Sequence, residues 1–114
     1  MRIAFTFRDI EPSEAIKQYA TNKISKLQKY LHSPLDAEVT ASMERRLHRI
    51  DLKVVGDGDV FVGTEESEDM YASIDLVMDK LDRQIRRAKA QRTQRRRSPA
   101  QKLKVARSGS ADDT

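Results

Sequence analysis

A single apolar stripe runs through the C-terminal part of this 114-residue chain. Its members recur every three or four residues: Met70, Ile74, Val77, Leu81, Ile85 and Ala88. This spacing predicts one face of an α-helix that begins at about Asp69 and ends in the mid-nineties. A helix with only one apolar stripe needs a partner surface that covers it, so the rest of the chain must fold into that surface.

Four shorter segments have the apolar–polar alternation that is typical of half-buried strands. Their expected inward residues are Ile3, Phe5 and Phe7; Val39, Ala41 and Met43; Ile50, Leu52 and Val54; and Phe61, the largest of three consecutive apolar residues. GDGD at residues 56–59 is a tight-turn sequence between the last two of these strands. The last three strands should therefore form an antiparallel meander.

A first helix is predicted between the first two strands. Ser13 is its expected N-cap, and Pro34 ends it. Its stripe consists of Ile16, Ala20, Ile24, Leu27 and Leu31. The order is β-α-β-β-β-α, which predicts an α+β fold in two layers, a four-stranded sheet with both helices packed on one face. We assign this domain to residues 1–97 and a disordered basic tail to residues 98–114.

The charge of the chain is strongly asymmetric. Residues 80–107 contain twelve Lys and Arg and one acidic residue, whereas the remainder contains ten basic and seventeen acidic residues, and the net charge is +4. Clustered cations gain free energy from counterion release when they meet phosphates, so a nucleic-acid partner is favoured over a merely solvated helix face.

Two rows of cations are expected beside the helical stripes. Lys23, Lys26 and Lys29 follow at intervals of three on the first helix, and Lys80, Arg83 and Arg87 flank the stripe of the last helix, with Arg86 more fully outward. Two such flanks side by side would form a positively charged groove. Arg45, Arg46 and Arg49 gather with His48 near a strand turn, where they either touch phosphate or simply keep the turn soluble.

Several classes of function are disfavoured by the sequence. Cysteine is absent, the two histidines form no pattern with carboxylates, and neither GxxxxGK[ST] nor HExxH occurs. We therefore expect no enzyme activity, no cofactor, no metal and no small-molecule substrate. No apolar run approaches a membrane span, and the segment before Arg8 is too short for a signal peptide, so a soluble cytoplasmic protein without a membrane partner is expected.

The motif from Asp69 to Gln84 resembles the start of the second helix of the ribosome hibernation factors, the family of the hibernation promoting factor and the ribosome-associated inhibitor. Its matching residues are Asp69-Met70-Tyr71, Ser73-Ile74-Asp75, Asp79-Lys80-Leu81 and Arg83-Gln84. Lys23, Lys26, Leu27 and Tyr30 agree in the first helix, and the resemblance covers about residues 1–97. Because the chain ends soon afterwards, it resembles a short form.

The resemblance implies binding to the small ribosomal subunit, at the rRNA of the decoding region in the channel between head and body. The factor would then compete with mRNA and tRNA and stop translation. The residues that the resemblance implies as RNA contacts are Lys23, Lys26, Lys29, Lys80, Arg83, Arg86, Arg87 and Lys89. Outside the resemblance, the candidate additional contacts are Arg45, Arg46, Arg49 and Arg92. The alternatives are a general double-stranded-RNA-binding module of similar fold and a protein-interaction module.

Overall fold

The computed structural model describes the backbone of residues 1–95 and the side chains of residues 1–91. The strands are β1 (Arg2–Arg8), β2 (Asp36–Glu44), β3 (Leu47–Gly56) and β4 (Asp59–Ser67), and the helices are α1 (Glu14–Ser25), a 3₁₀ segment (Lys26–Tyr30) and α2 (Met70–Arg95). The predicted domain boundary after residue 97 and the predicted tail at residues 98–114 lie outside the described residues.

The four strands form one mixed sheet in the order β1-β2-β3-β4. β1 runs parallel to β2, because α1 carries the chain back to the starting end of the sheet between them. The β2–β3 and β3–β4 pairs are antiparallel hairpins, each with a two-residue turn. The predicted two-layer α+β fold with the later strands in a meander is confirmed.

One face of the sheet and both helices share a single hydrophobic core. Val39 lies opposite Leu52, and Val54 lies opposite Phe61, so the inward residues of three strands meet side by side. The predicted stripe of α2 is buried from Met70 to Ile85, with Ala88 only partly buried against the core. The stripe therefore covers the sheet, as its spacing requires.

The first helix differs from the prediction in its second half. Ser13 caps α1 as expected, accepting a hydrogen bond from the Ile16 amide at 3.2 Å. After Ser25 the chain tightens into the 3₁₀ segment, where the Gln28 side chain donates to Ser33 O at 2.8 Å and accepts from Leu35 N at 2.8 Å. This side chain holds the following loop against the segment, and Leu27 and Leu31 remain buried as predicted.

Two features that the apolar pattern does not reveal hold α2 on the sheet. Ser73 is fully buried, and its hydroxyl donates to His48 O at 2.7 Å, which joins the first turn of α2 to β3. Gly63 lies under the middle of α2, where an added Cβ would be 2.7 Å from Leu81 Cδ1. Helix and strand therefore approach closely because residue 63 has no side chain.

Candidate nucleic-acid interface

The three lysines of the first helical region lie together along one wall of a groove. α1 and the 3₁₀ segment place Lys23, Lys26 and Lys29 beside α2, around an open space of about 410 Å³. Lys23 Nζ is 5.4 Å from the centre of the Tyr19 ring, and Lys29 Nζ is 5.2 Å from that of Tyr30. Each ammonium is thus held over an aromatic face, which favours one orientation of a flexible side chain.

The opposite wall of this groove is acidic, which corrects the expectation of two cationic flanks facing each other. Asp75, Asp79 and Asp82 of α2 line it, and Lys23 Nζ is 3.6 Å from Asp75 Oδ1. At 100° per residue these aspartates share one flank of α2, whereas Lys80 and Arg87 lie on the flank toward β4. The expectation was wrong because sequence spacing places these cations beside the apolar stripe of α2 but does not say whether they lie on the side toward α1 or on the side toward β4.

A tyrosine joins the two helices near the start of the groove. The Tyr19 hydroxyl donates to Asp75 Oδ1 at 2.6 Å, and its ring packs edge-to-face on Tyr71 with centroids 5.0 Å apart. The hydrogen bond to Asp75 is the main reason that the pKa of Tyr19 is raised above its ordinary value. These contacts set the spacing between α1 and α2 and hence the width of the groove.

The cations that the structure describes between Lys80 and Arg87 on α2 divide into paired and unpaired residues. Lys80 Nζ is 2.7 Å from Glu65 Oε2 and donates to Thr64 O at 3.2 Å, and Arg86 Nε is 2.9 Å from Asp82 Oδ2. Arg83 and Arg87 are exposed, and neither forms an ion pair within the part of the chain that the structure describes. These two guanidinium groups are the most available for an external anion.

Lys89 is part of a structural contact around Asp57 in the β3–β4 turn. The Asp57 carboxylate accepts hydrogen bonds from Lys89 Nζ and from the backbone amides of His32 and Ser33, at 2.9 and 2.7 Å respectively. The two charged side chains are only 8% and 20% exposed. Lys89 therefore joins α2 to the turn and, through Asp57, to the loop that follows the 3₁₀ segment, a role that sequence spacing does not indicate.

The hydrogen bonds from Lys89 and from the amides of His32 and Ser33 hold the pKa of Asp57 well below its ordinary value. Stability from such a carboxylate is present above its unfolded-state pKa of about 4 and is lost as the pH falls toward the folded-state pKa. We expect Asp57→Asn to lower the melting temperature at pH 7, and the difference from the parent protein to narrow at pH 3.

Thermal melts of both proteins across this pH range measure the effect. Asp36→Asn is the matched control, since Asp36 forms an exposed pair with Arg2 at 3.3 Å, and such pairs contribute little. A gap between parent and Asp57→Asn that is the same at pH 3 and pH 7 would contradict the role assigned to the ionised carboxylate.

The remaining sequence-predicted contacts are dispersed. Arg45 and Arg46 are exposed at the β2–β3 turn, at the end of the sheet where α2 begins. Arg49 is directed onto the sheet face away from the helices, where it pairs with Asp51 at 3.1 Å and lies 3.8 Å from Glu44. The Arg92 side chain lies outside the described residues. Arg49 is therefore engaged within the sheet and separated from the helical cations.

Metal clusters and membrane-spanning helices are both absent from residues 1–91. No group of three His, Asp or Glu side chains there is arranged to hold a metal ion. Among the described helices, none combines the length and the apolar character that a membrane span requires.

The protein is a small α+β domain with exposed cations on its helical layer. A solved structure with a similar fold is the N-terminal domain of Thermus thermophilus Protein Y, with a TM-score of 0.71 and 31% identity over 76% of this chain and 98% of that one. A ribosomal subunit interface protein from Coxiella burnetii shares the fold, with a TM-score of 0.69 at 23% identity over 79% of this chain and 99% of that one.

The family follows from the sequence matches. Residues 3–93 match the model of the Sigma 54 modulation protein / S30EA ribosomal protein family, and the chain belongs to that family. It is 33% identical to the ribosome hibernation promoting factor of Salmonella typhimurium, over 78% of this chain and 94% of that protein. It is 30% identical to the factor of the same name from Azotobacter vinelandii, over 83% and 89% respectively.

Proposed function

We propose that this protein is a ribosome hibernation factor that binds the small ribosomal subunit and inhibits translation. The observation that carries the proposal is the set of exposed cations on the helical layer, in a chain whose sequence is similar to proteins named for ribosome hibernation. These cations are Lys26 and Lys29 on one helical region and Arg83 and Arg87 on the other. Such a partner implies that the protein acts in the cytoplasm.

The proposed mechanism is steric and needs no reaction or cofactor. The domain would occupy the mRNA and tRNA channel near the decoding region, with its cations on rRNA phosphates. Phosphate contacts position a protein without reading sequence, and each one steepens the salt dependence of binding by about one unit. mRNA and tRNA are then excluded because the domain fills the space that they need.

The acidic wall of the groove bears on the alternative of general RNA binding. Asp75, Asp79 and Asp82 interrupt the cationic surface between the two helical regions. A protein that follows any duplex by shape contacts 2′-hydroxyl and phosphate groups over successive grooves, which favours a continuous cationic surface. A preformed rRNA cleft can instead meet two separate cationic strips, which favours a ribosome-specific site.

Co-sedimentation with purified small subunits and intact ribosomes at physiological salt tests the proposal. We expect saturable binding that mRNA and tRNA displace, and no binding to a free RNA duplex at the same salt. Equal binding to any RNA would favour the general RNA-binding module. Binding that survives high salt would favour a protein-interaction module, since phosphate contacts weaken steeply with salt.

A further inference from the structure

The chain forms two hairpins of the same geometry from very different residues. In both, two central residues with positive φ connect the strands: Asp57 (55°) and Gly58 (79°) between β3 and β4, and Arg45 (51°) and Arg46 (69°) between β2 and β3. Positive φ at both positions is the signature of a type I′ turn, in which Asn, Asp and Gly are preferred. Asp-Gly is a favoured pair, whereas Arg-Arg is not.

The Arg-Arg turn carries a conformational cost. In the left-handed region the Cβ of an ordinary L-residue crowds the following carbonyl oxygen, and long side chains gain no local hydrogen bond in return. Non-glycine residues held in this region are concentrated at functional sites, where the side chain itself is needed. If this turn served only to connect β2 and β3, Asn-Gly would do so at a lower conformational free energy.

The two guanidinium groups are available for an external partner. Arg45 and Arg46 are both exposed. The neighbouring Glu44 carboxylate forms its ion pair with Arg49, at 3.8 Å. Neither turn arginine forms an ion pair with a residue in the described part of the chain. Two adjacent positive charges therefore lie at the tip of the β2–β3 hairpin.

The tip is well separated from the exposed arginines of α2. Ser73, in the first turn of α2, contacts His48 beside this hairpin. Arg83 follows ten residues later, which corresponds to about 15 Å along the helix axis. The hairpin and the α2 surface therefore cannot share one phosphate, and they would meet different parts of an RNA.

We propose that Arg45 and Arg46 form a second phosphate-binding site for ribosomal RNA, separate from the helical cations. The inference rests on the proposed function and adds a contact at the opposite end of the sheet. Because the hairpin is part of the hydrogen-bonded sheet on which α2 packs, the fold sets the distance between this site and the helical cations. A contact at this end of the sheet would constrain the orientation of the domain further than the helical cations do by themselves.

The test is a variant in which stability and binding change in opposite directions. Arg45→Asn/Arg46→Gly places the favoured type I′ pair at the turn, and we expect the melting temperature to rise by about 4 °C or more. Ribosome affinity should fall by roughly 10-fold, and the slope of log affinity against log salt should become shallower by about one to two units.

Arg45→Gln/Arg46→Gln separates charge from turn geometry. It removes both charges but keeps two unfavourable residues in the turn, so it should bind as weakly as the Asn-Gly variant without the gain in stability. Parent-like affinity in either variant, an unchanged salt slope, or no rise in melting temperature with Asn-Gly would each overturn the inference. Failure of the parent protein to bind ribosomes would instead refute the proposed function, and the second site with it.

Discussion

Reversing the charge of the two exposed α2 arginines, in Arg83→Glu/Arg87→Glu, is expected to weaken ribosome binding by roughly 100-fold at physiological salt, because each change removes a phosphate contact and adds a repulsive charge. The fold should be unaffected, since both side chains lie outside the core. Lys80 is left in place because its ammonium contacts Glu65 and Thr64 O. Quantitative co-sedimentation measures the loss.

Arg2→Glu/Lys53→Glu is the matched control. It changes the net charge by the same amount. Both residues are exposed, and both lie on the face of the sheet that points away from the helices. We expect this control to bind within about threefold of the parent protein, as its charges are far from the proposed contacts. Equal losses in the two variants would attribute binding to overall charge, and an unaffected Arg83/Arg87 variant would refute the site.

The second large effect is expected in the core. Ile74 is fully buried, with 0% exposure, and Ile74→Asp would place an unpaired carboxylate among apolar side chains. The cost of about 5 kcal/mol or more is comparable to the whole stability of a small domain. We expect the variant to be unfolded at 25 °C, with no cooperative transition in a thermal melt followed by circular dichroism.

Leu76→Asp provides the control on the same helix. Leu76 is 46% exposed, so a carboxylate there remains in water and the melting temperature should change by only a few degrees. A cooperative melt of Ile74→Asp near the parent temperature would contradict the burial of the α2 stripe. Similar destabilisation by both substitutions would show that helix propensity, and not burial, determines the effect.

Much of the fold could be predicted because strand and helix periodicities are local properties of the sequence. The alternation around Leu52 and the stripe through Leu81 each require one buried face, and the sheet and helices can satisfy both only by packing together. Phe61 was assigned inward by size where the pattern was ambiguous, and it is buried. The 3₁₀ segment was missed because its winding depends on the contact of Gln28 with a later loop.

The candidate site was less predictable because the availability of a charge depends on distant partners. The pairing of Arg86 with Asp82 follows from their spacing of four residues along a helix. Lys80 and Lys89 instead meet acidic residues 15 and 32 positions earlier in the chain, and only the tertiary fold brings them together. The sequence identifies which residues are cationic, but the fold determines which of them can face a partner.

The Lys80 contact also limits how copies of this sheet can associate. β4 is an edge strand. Alternate residues of β4, starting with Asp59 beside the two-residue turn, form hydrogen bonds with β3, so the carbonyls of Val62 and Thr64 point away from β3. Gln84 Nε2 donates to Val62 O at 2.9 Å and Lys80 Nζ to Thr64 O at 3.2 Å, so α2 occupies both acceptors. A strand that approached this edge would have to displace two hydrogen bonds, whereas the described side chains of α2 donate no hydrogen bond to β1. Edge-to-edge pairing through β1 closes after two copies, so the covered β4 edge blocks the head-to-tail growth from which fibrils form.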